Sequence, residues 1–137
     1  MEREIAKRIS RNLKQWCTDK KYCQSNYSVE DVAEELDVTA DQLRRFFLCY
    51  IQIRFVVWRK KLRINYARNL LLEFPEAPLE QIGILVGIND KANFRRQFIE
   101  ETGISPTQWK DIHSRKCRRN RRRNERKQRH PDIPSLL

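Results

Sequence analysis

Two pairs of adjacent arginines, Arg44-Arg45 and Arg95-Arg96, stand 51 residues apart, each just behind a short polar stretch: Asp41 and Gln42 before the first, Lys91, Ala92 and Asn93 before the second. A guanidinium is a rigid fork of donors that can make two parallel hydrogen bonds to guanine O6 and N7. Asparagine or glutamine can do the same to adenine, aspartate can accept from cytosine N4, and alanine can pack on a thymine methyl. Catalytic chemistry lacks its parts: there is no G-x-S-x-G, no H-E-x-x-H and no Walker loop, and the only histidines are His113 and His130. Cys17, Cys23, Cys49 and Cys117 form no C-x-x-C pair, so zinc-finger ligand spacing is absent and no metal or other cofactor is expected. The charged start, Met1 to Arg8, is unlike a secretory leader, and the cysteines read as reduced cytosolic thiols.

The elements that must position these arginines are helical. Only three glycines and five prolines occur in 137 residues, too few for turn-dense β architectures. Ile5, Ile9, Leu13 and Trp16 keep helical spacing, so residues 2 to about 21 form an amphipathic helix that needs a partner for its stripe. Ser28-Val-Glu-Asp31 is a capping-box pattern opening a short helix with Val29, Val32, Ala33 and Leu36 inward. Asp37-Val38 interrupts it, and Thr39-Ala-Asp-Gln42 starts the next helix at once, which is a helix-turn-helix arrangement. A long helix comes next over Phe55 to about Glu73, with Phe55, Trp58, Leu62, Tyr66 and Leu70 on one face, ended by Phe74-Pro75. A second pair spans Leu79 to Val86 and, after Gly87-Ile88-Asn89, the stretch from Asp90 as N-cap to about Thr102. Gly103 stops that helix, and Ser105-Pro106 opens a closing one through Trp109 and Ile112. Trp58 and Trp109, at helical spacing beside Leu62 and Ile112, read as core residues rather than stacking platforms.

The two halves repeat. An offset of 51 lays Phe94 on Leu43, Arg95-Arg96 on Arg44-Arg45, Phe98 on Phe47, Ile104 on Ile53 and Trp109 on Trp58. Ahead of the turn the offset becomes 50, aligning Ile82-Gly83 with Val32-Ala33, so the second turn holds one extra residue. At 100° per residue, Leu43, Phe46, Phe47 and Tyr50 fall on the core side and Asp41, Arg44, Arg45 and Leu48 opposite. In the repeat, Phe94, Gln97 and Phe98 lie inward, and Ala92, Arg95, Arg96 and Ile99 outward. A competing reading makes the arginine pairs a solvated face or ion-pair partners of Asp41 and Glu100.

Glu30-Asp-Val-Ala-x-x-Leu-x-Val-Thr, Leu43-x-Arg-x-Phe47, Arg63-Ile-x-x-Ala67-x-x-Leu-Leu71, Ile82-Gly-x-x-Val-Gly87, Phe94-x-Arg-x-Phe98 and Gly103-Ile-Ser-Pro106-x-x-Trp109 together resemble the AraC/XylS-type DNA-binding domain, from about residue 5 to 112. The resemblance implies an all-α fold of two helix-turn-helix subdomains joined by a long central helix, about seven helices in all, in a bacterial transcription regulator. The chain departs from the family pattern at Gln52, where the pattern has glycine, at Gly83, where it has alanine, and at Ile88, where it has phenylalanine. Those departures imply a changed exit from the first recognition helix and a slightly altered second core.

The functional expectations are specific to residues. Residues 1–114 would be the DNA-binding domain, with the first helix-turn-helix at about 28–54, the linking helix at about 55–73 and the second helix-turn-helix at about 78–112. Base readers would be Asp41, Gln42, Arg44 and Arg45, then Lys91, Ala92, Asn93, Arg95 and Arg96, since recognition helices read bases with their first turns. Phosphate would be met near Ser28, Thr39, Leu79, Asp90 and Thr107 at helix N-termini and by Arg59, Lys60 and Arg68. Arg63 reads as an internal ion-pair or capping donor. Nineteen residues of linking helix span about 28 Å at 1.5 Å each, against about 34 Å between major grooves on one face, so the duplex is expected to bend a little. The net charge is +11, but residues 115–137 hold ten Lys/Arg against Glu125 and Asp132; that tail is expected to be disordered and to bind phosphate without regard to sequence.

The expected partner is double-stranded DNA, with RNA polymerase as a further one, in the cytoplasm at the nucleoid. No membrane is expected, because uncharged runs such as Phe46 to Ile53 are far below the roughly 20 residues that span a bilayer. No small-molecule ligand is expected within this chain, since the residues before Ser28 supply one helix and no pocket. Two rival classes keep a place: RNA or nonspecific nucleic-acid binding led by the arginine-rich tail, and a helix-turn-helix relative turned protein-interaction module or anti-regulator.

Overall fold

Capping chemistry sets where the helices begin. Ser28 Oγ accepts from the Asp31 backbone N–H at 3.1 Å while the Ser28 N–H donates to Asp31 Oδ2 at 3.1 Å, and Thr39 and Gln42 make the same reciprocal pair at 3.1 and 2.9 Å. Asp90 Oδ2 accepts from the Asn93 N–H at 3.1 Å, and Ser105 and Gln108 form a further box at 3.1 and 3.2 Å. Each satisfies donors that a helix N-terminus otherwise leaves open.

A computed structural model describes residues 2–24 and 27–120, the side chains as far as His113. Among the described residues there are seven α-helices and no strand: α1 (Arg3–Thr18), α2 (Val29–Glu35), α3 (Ala40–Phe46), α4 (Phe55–Glu73), α5 (Leu79–Leu85), α6 (Lys91–Thr102) and α7 (Pro106–Asn120). A 3₁₀ turn occupies Lys21–Cys23 and a π-helical turn Phe47–Ile51. Two of the helices differ from what periodicity suggested. The first stops at Thr18 because Lys20 turns left-handed at φ 54°. The last runs on to Asn120, past the expected boundary at Ser114, and the rest of the basic tail lies outside the described residues.

The chain divides into two compact units whose boundary falls inside α4, between Lys60 and Lys61. In the first, Ile9, Leu13 and Trp16 are the buried stripe of α1, and Val32, Ala33, Leu36, Leu43, Phe46 and Phe47 are buried in the same unit. Trp16, Phe47, Phe55 and Trp58 form an aromatic cluster with ring centroids 5.0 to 6.1 Å apart, mostly tilted or edge-on, as ring quadrupoles prefer. Asn12 Nδ2 donates to the Leu36 carbonyl at 3.0 Å and Arg8 Nη1 to the Asp37 carbonyl at 3.4 Å, so α1 also satisfies acceptors left open at the end of α2. In the second unit Leu62, Ile64, Ala67, Leu70 and Leu71 of α4 are buried, as are Ile82, Val86 and Ile88 of the α5 region, Phe94 and Phe98 of α6, and Trp109. Lys61 Nζ pairs with Glu101 Oε2 at 3.2 Å.

Both helix-turn-helix turns are built alike. The Val38 N–H donates to the Ala33 carbonyl at 3.0 Å and the Asp37 N–H to Glu34 at 3.1 Å; the Ile88 N–H donates to Gly83 at 2.8 Å and the Gly87 N–H to Ile84 at 3.1 Å. This is the paired closure of a Schellman motif, with the residue after the C-cap left-handed: Asp37 at φ 61°, Gly87 at φ 91°. The extra residue of the second turn is Asn89, inserted between the closure at Ile88 and the N-cap Asp90. The same correspondence holds one helix later, where Gln52 at φ 67° matches Gly103 at φ 85°. Thus the tight exit survives without glycine: Gln52 takes the left-handed conformation and its N–H reaches back to the Phe47 carbonyl at 2.6 Å, closing the π-helical turn. The wider winding rotates the residues at its end, and Tyr50, placed inward by ideal helix geometry, is instead 48 % exposed.

Left-handed backbone costs a side-chain-bearing residue about 1–2 kcal/mol, less for aspartate, while glycine pays about 0.5–1 kcal/mol in unfolded-state entropy. Gln52→Gly is therefore expected to raise stability by about 1 kcal/mol and Asp37→Gly by less, measured by urea denaturation. Gly83→Ala runs the other way despite alanine's helix propensity. A Cβ there would lie 2.9 Å from the Ile88 carbonyl oxygen and 3.3 Å from Phe94 Cγ, and the first of these is backbone that cannot step aside. A loss of about 1–3 kcal/mol is expected, from overpacking.

Candidate nucleic-acid interface

The first unit presents α3 with its amino end fixed by the Thr39–Gln42 box. Leu43, Phe46 and Phe47 are buried, and Asp41, Arg44, Arg45 and Leu48 are exposed, as the helical wheel required. Gln42 is half-buried and its Oε1 is committed to the cap. Arg44 is held: its Nη2 donates to Glu30 Oε1 on α2 at 2.8 Å and its Nη1 lies 3.4 Å from Asp41 Oδ1. The Glu30 carboxyl sits below the usual carboxylate range, first because its own backbone N–H bonds it and then because of Arg44. Arg45 makes no hydrogen bond or ion pair with any described residue, and Leu48 beyond it is 75 % exposed.

In the second unit α6 starts at the Asp90 cap, with Phe94, Gln97 and Phe98 inward and Lys91, Ala92, Arg95 and Arg96 exposed. Asn93 is half-buried, and its Oδ1 accepts from Arg96 Nη2 at 2.5 Å and from Gln97 Nε2 at 3.2 Å. Lys91 and Arg95 make no hydrogen bond or ion pair with any described residue. The arginine pairs are thus used in opposite senses. Arg44 is tied and Arg45 open in α3; their counterparts Arg95 and Arg96 are open and tied in α6.

The residues expected to meet phosphate separate into two groups. Lys60 and Thr107 are exposed, whereas the Ser28 and Thr39 hydroxyls and the Asp90 carboxylate are spent on caps, leaving only backbone at those helix starts. Arg59 and Arg68 are turned inward. Arg59 Nη1 donates to the Tyr27 carbonyl, its guanidinium lies 5.3 Å from the Phe55 ring centroid, and burial lowers its pKa. Arg68 is half-buried and donates to Asn65 Oδ1 at 3.0 Å. Spacing on a helix could not reveal the Arg59 contact, because its acceptor is a backbone carbonyl in a preceding loop. Glu30 was also hidden: its partner lies 14 residues on, across the turn.

No group of three or more His, Cys, Asp or Glu among the described residues could hold a metal ion, and no described helix is long and apolar enough to cross a membrane. A helix-turn-helix domain model matches residues 32–112, more than half of the chain. The chain belongs to the AraC-type helix-turn-helix family. This AraC-type domain is 31 % identical over 86 residues to the arabinose operon regulatory protein of Escherichia coli, covering 63 % of this chain and 29 % of that protein. It is 34 % identical over 87 residues to the ornithine utilization regulator of Pseudomonas aeruginosa, covering 61 % of this chain and 24 % of that one. The chain therefore spans under a third of the length of the curated relatives it matches. Among solved structures, the C-terminal domain of AraT, a response regulator from Geobacillus stearothermophilus, superposes with a TM-score of 0.69 at 32 % identity, over 76 % of this chain and 84 % of that one. AraC-type domains are DNA-binding and not enzymatic.

The inward position of Arg59 has a measurable consequence. Arg59→Ala removes a charge-assisted hydrogen bond and a cation–ring contact and is expected to lower stability by about 1–2 kcal/mol. Lys60→Ala, one residue on and exposed, should change thermal stability little; equal losses for the two would contradict the inward assignment.

Proposed function

We propose that this chain is the duplex-reading part of a transcription regulator, in which α3 and α6 enter successive major grooves and choose a site by sequence. The observation that carries the reading is the pair of open guanidiniums, Arg45 and Arg95, one on the outer face of each recognition helix, with core residues locking the opposite face. Lys91, Ala92 and Asn93 supply further donors and an apolar contact at the amino end of α6, where recognition helices meet base edges. Asp41 and Gln42 take the matching place on α3. Lys60, Thr107 and the capped helix starts meet phosphate. The basic segment 115–137 adds sequence-independent phosphate contacts.

The relatives support the regulatory half of the reading, since their names describe an operon regulator and a utilization regulator. A protein of this kind works in the cytoplasm on nucleoid DNA, and RNA polymerase is the further partner that transcriptional control implies.

Selection of bound sequences from random duplex, followed by footprinting, tests it. An enriched site with two protected major-groove segments is expected. Arg45→Ala and Arg95→Ala should each cost about 1–3 kcal/mol on that site, that is about 10- to 100-fold, and relax preference at one position. Removing residues 121–137 should flatten the dependence of log K on log salt and leave the selected site unchanged. The proposal fails if no sequence is enriched, or if replacing Arg44, Arg45, Arg95 and Arg96 together leaves duplex binding intact while loss of the tail abolishes it.

A further inference from the structure

The two recognition helices carry nearly the same residues and surround them with different charge. In the first unit Arg44 lies between two carboxylates, Glu30 Oε1 at 2.8 Å and Asp41 Oδ1 at 3.4 Å. In the second, Arg95 occupies the matching place, Ala92 stands for Asp41, and Glu80 stands for Glu30 one helix earlier. Glu80 is exposed and makes no ion pair with any described residue. Over matching positions, Glu30, Asp41, Arg44 and Arg45 sum to zero, whereas Glu80, Asp90, Lys91, Arg95 and Arg96 sum to one positive charge.

Resting on the duplex-reading function above, we propose that Glu30 is a specificity-determining positioning residue: it fixes the direction of the Arg44 fork and offsets its charge, so that α3 contributes the larger share of base discrimination and α6 the larger share of phosphate attraction. A guanidinium has five N–H donors; Glu30 takes one at Nη2 and Asp41 one at Nη1, leaving three for a base edge. The anchored fork has lost rotamers before it meets DNA, which sharpens the difference between a base that fits and one that does not. A phosphate has no such geometric requirement, and the carboxylate beside Arg44 offsets its pull. The first helix of a helix-turn-helix crosses the DNA backbone, so a negative charge near the start of α2 further penalises close phosphate approach. Arg95, exposed and with no acid paired to it, has no such anchor, so its base contact is less sharply discriminating and its attraction to phosphate is not offset.

The experiment compares Glu30→Gln, Glu80→Gln and wild type on the selected site, on that site with single base-pair changes, and on random duplex, over a range of salt. Glu30→Gln should bind random duplex several-fold more tightly, steepen the log K against log salt slope by up to about 1, and reduce the ratio of selected to mismatched binding at one position by about 3- to 10-fold. Glu80→Gln removes the same charge without releasing an arginine; it should steepen the slope and keep the ratio. In an Arg44→Ala background Glu30→Gln should leave the ratio where Arg44→Ala put it. Thermal unfolding of each variant separates these effects from loss of fold. If wild type discriminates between duplexes but Glu30→Gln keeps the full ratio, or both Gln variants lower it equally, the role given to Glu30 is overturned and the duplex-reading function stands. If wild type does not discriminate, both fall.

Discussion

The two helix-turn-helix units depend on one backbone constraint: a residue held left-handed just after the first helix, so that the chain reverses within two residues and the N–H of the second closes on the carbonyl five back. Val38 on Ala33 and Ile88 on Gly83 are those closures. They fix the direction in which the next helix leaves, and hence which of its side chains can face outward. The core then only has to agree with that direction. It does so with Val32, Leu43 and Phe47 in one unit and Ile82, Phe94 and Phe98 in the other. The close approach at Gly83 shows how little room the closure leaves: the missing Cβ is what lets the Ile88 carbonyl and Phe94 come near. In the first unit Ala33 stands at the matching position and accepts from the Val38 N–H, so the two turns share one hydrogen-bond pattern with different residues.

That equivalence explains why the fold was legible. Caps and periodicity are local signals, and Ser28, Thr39, Asp90 and Ser105 do what short polar side chains ahead of an apolar run do physically: they accept from amides that have no other partner. The shift of offset from 51 to 50 pointed to one extra residue in the second turn, and the closures place it at Asn89. What was not legible came from departures of the backbone from ideal helix geometry and from contacts across elements. A wheel at 100° per residue cannot know that Phe47–Ile51 is wound as a π-turn, which brings Tyr50 out of the inward position the wheel assigns it. Nor can spacing show that Arg59 would find the Tyr27 carbonyl, or that Glu30 would reach Arg44 across the turn. In each case the competing term is the hydrogen bond itself: long flexible donors go where an acceptor is open, and that is decided after the elements pack.

The same limit applied to the candidate site. Outward position on a helix was read correctly for Arg44, Arg45, Arg95 and Arg96, because it comes from burying the opposite face. Availability is a different property. The Asn93 amide oxygen shared by Arg96 and Gln97, and the carboxylates around Arg44, divide each pair into a held and an open guanidinium. The sequence repeat shows two identical pairs, whereas the structure shows that the open member changes place from one unit to the other.

An exposed ion pair of this kind adds little to stability, because solvent screens it and two side chains lose freedom to form it. Glu30 and Arg44 keep 66 % and 52 % of their side-chain surface in water, so stability is a poor account of the contact. Under the duplex-reading proposal its effect lies in what it does to a neighbouring polyanion. A surface that attracts phosphate strongly everywhere slides on any duplex, since the electrostatic part of binding carries no sequence information. On the proposed reading, lowering the charge at one recognition helix while keeping it at the other leaves enough attraction to hold the protein on DNA. The base contacts of the first helix then make up a larger share of what distinguishes one site from another.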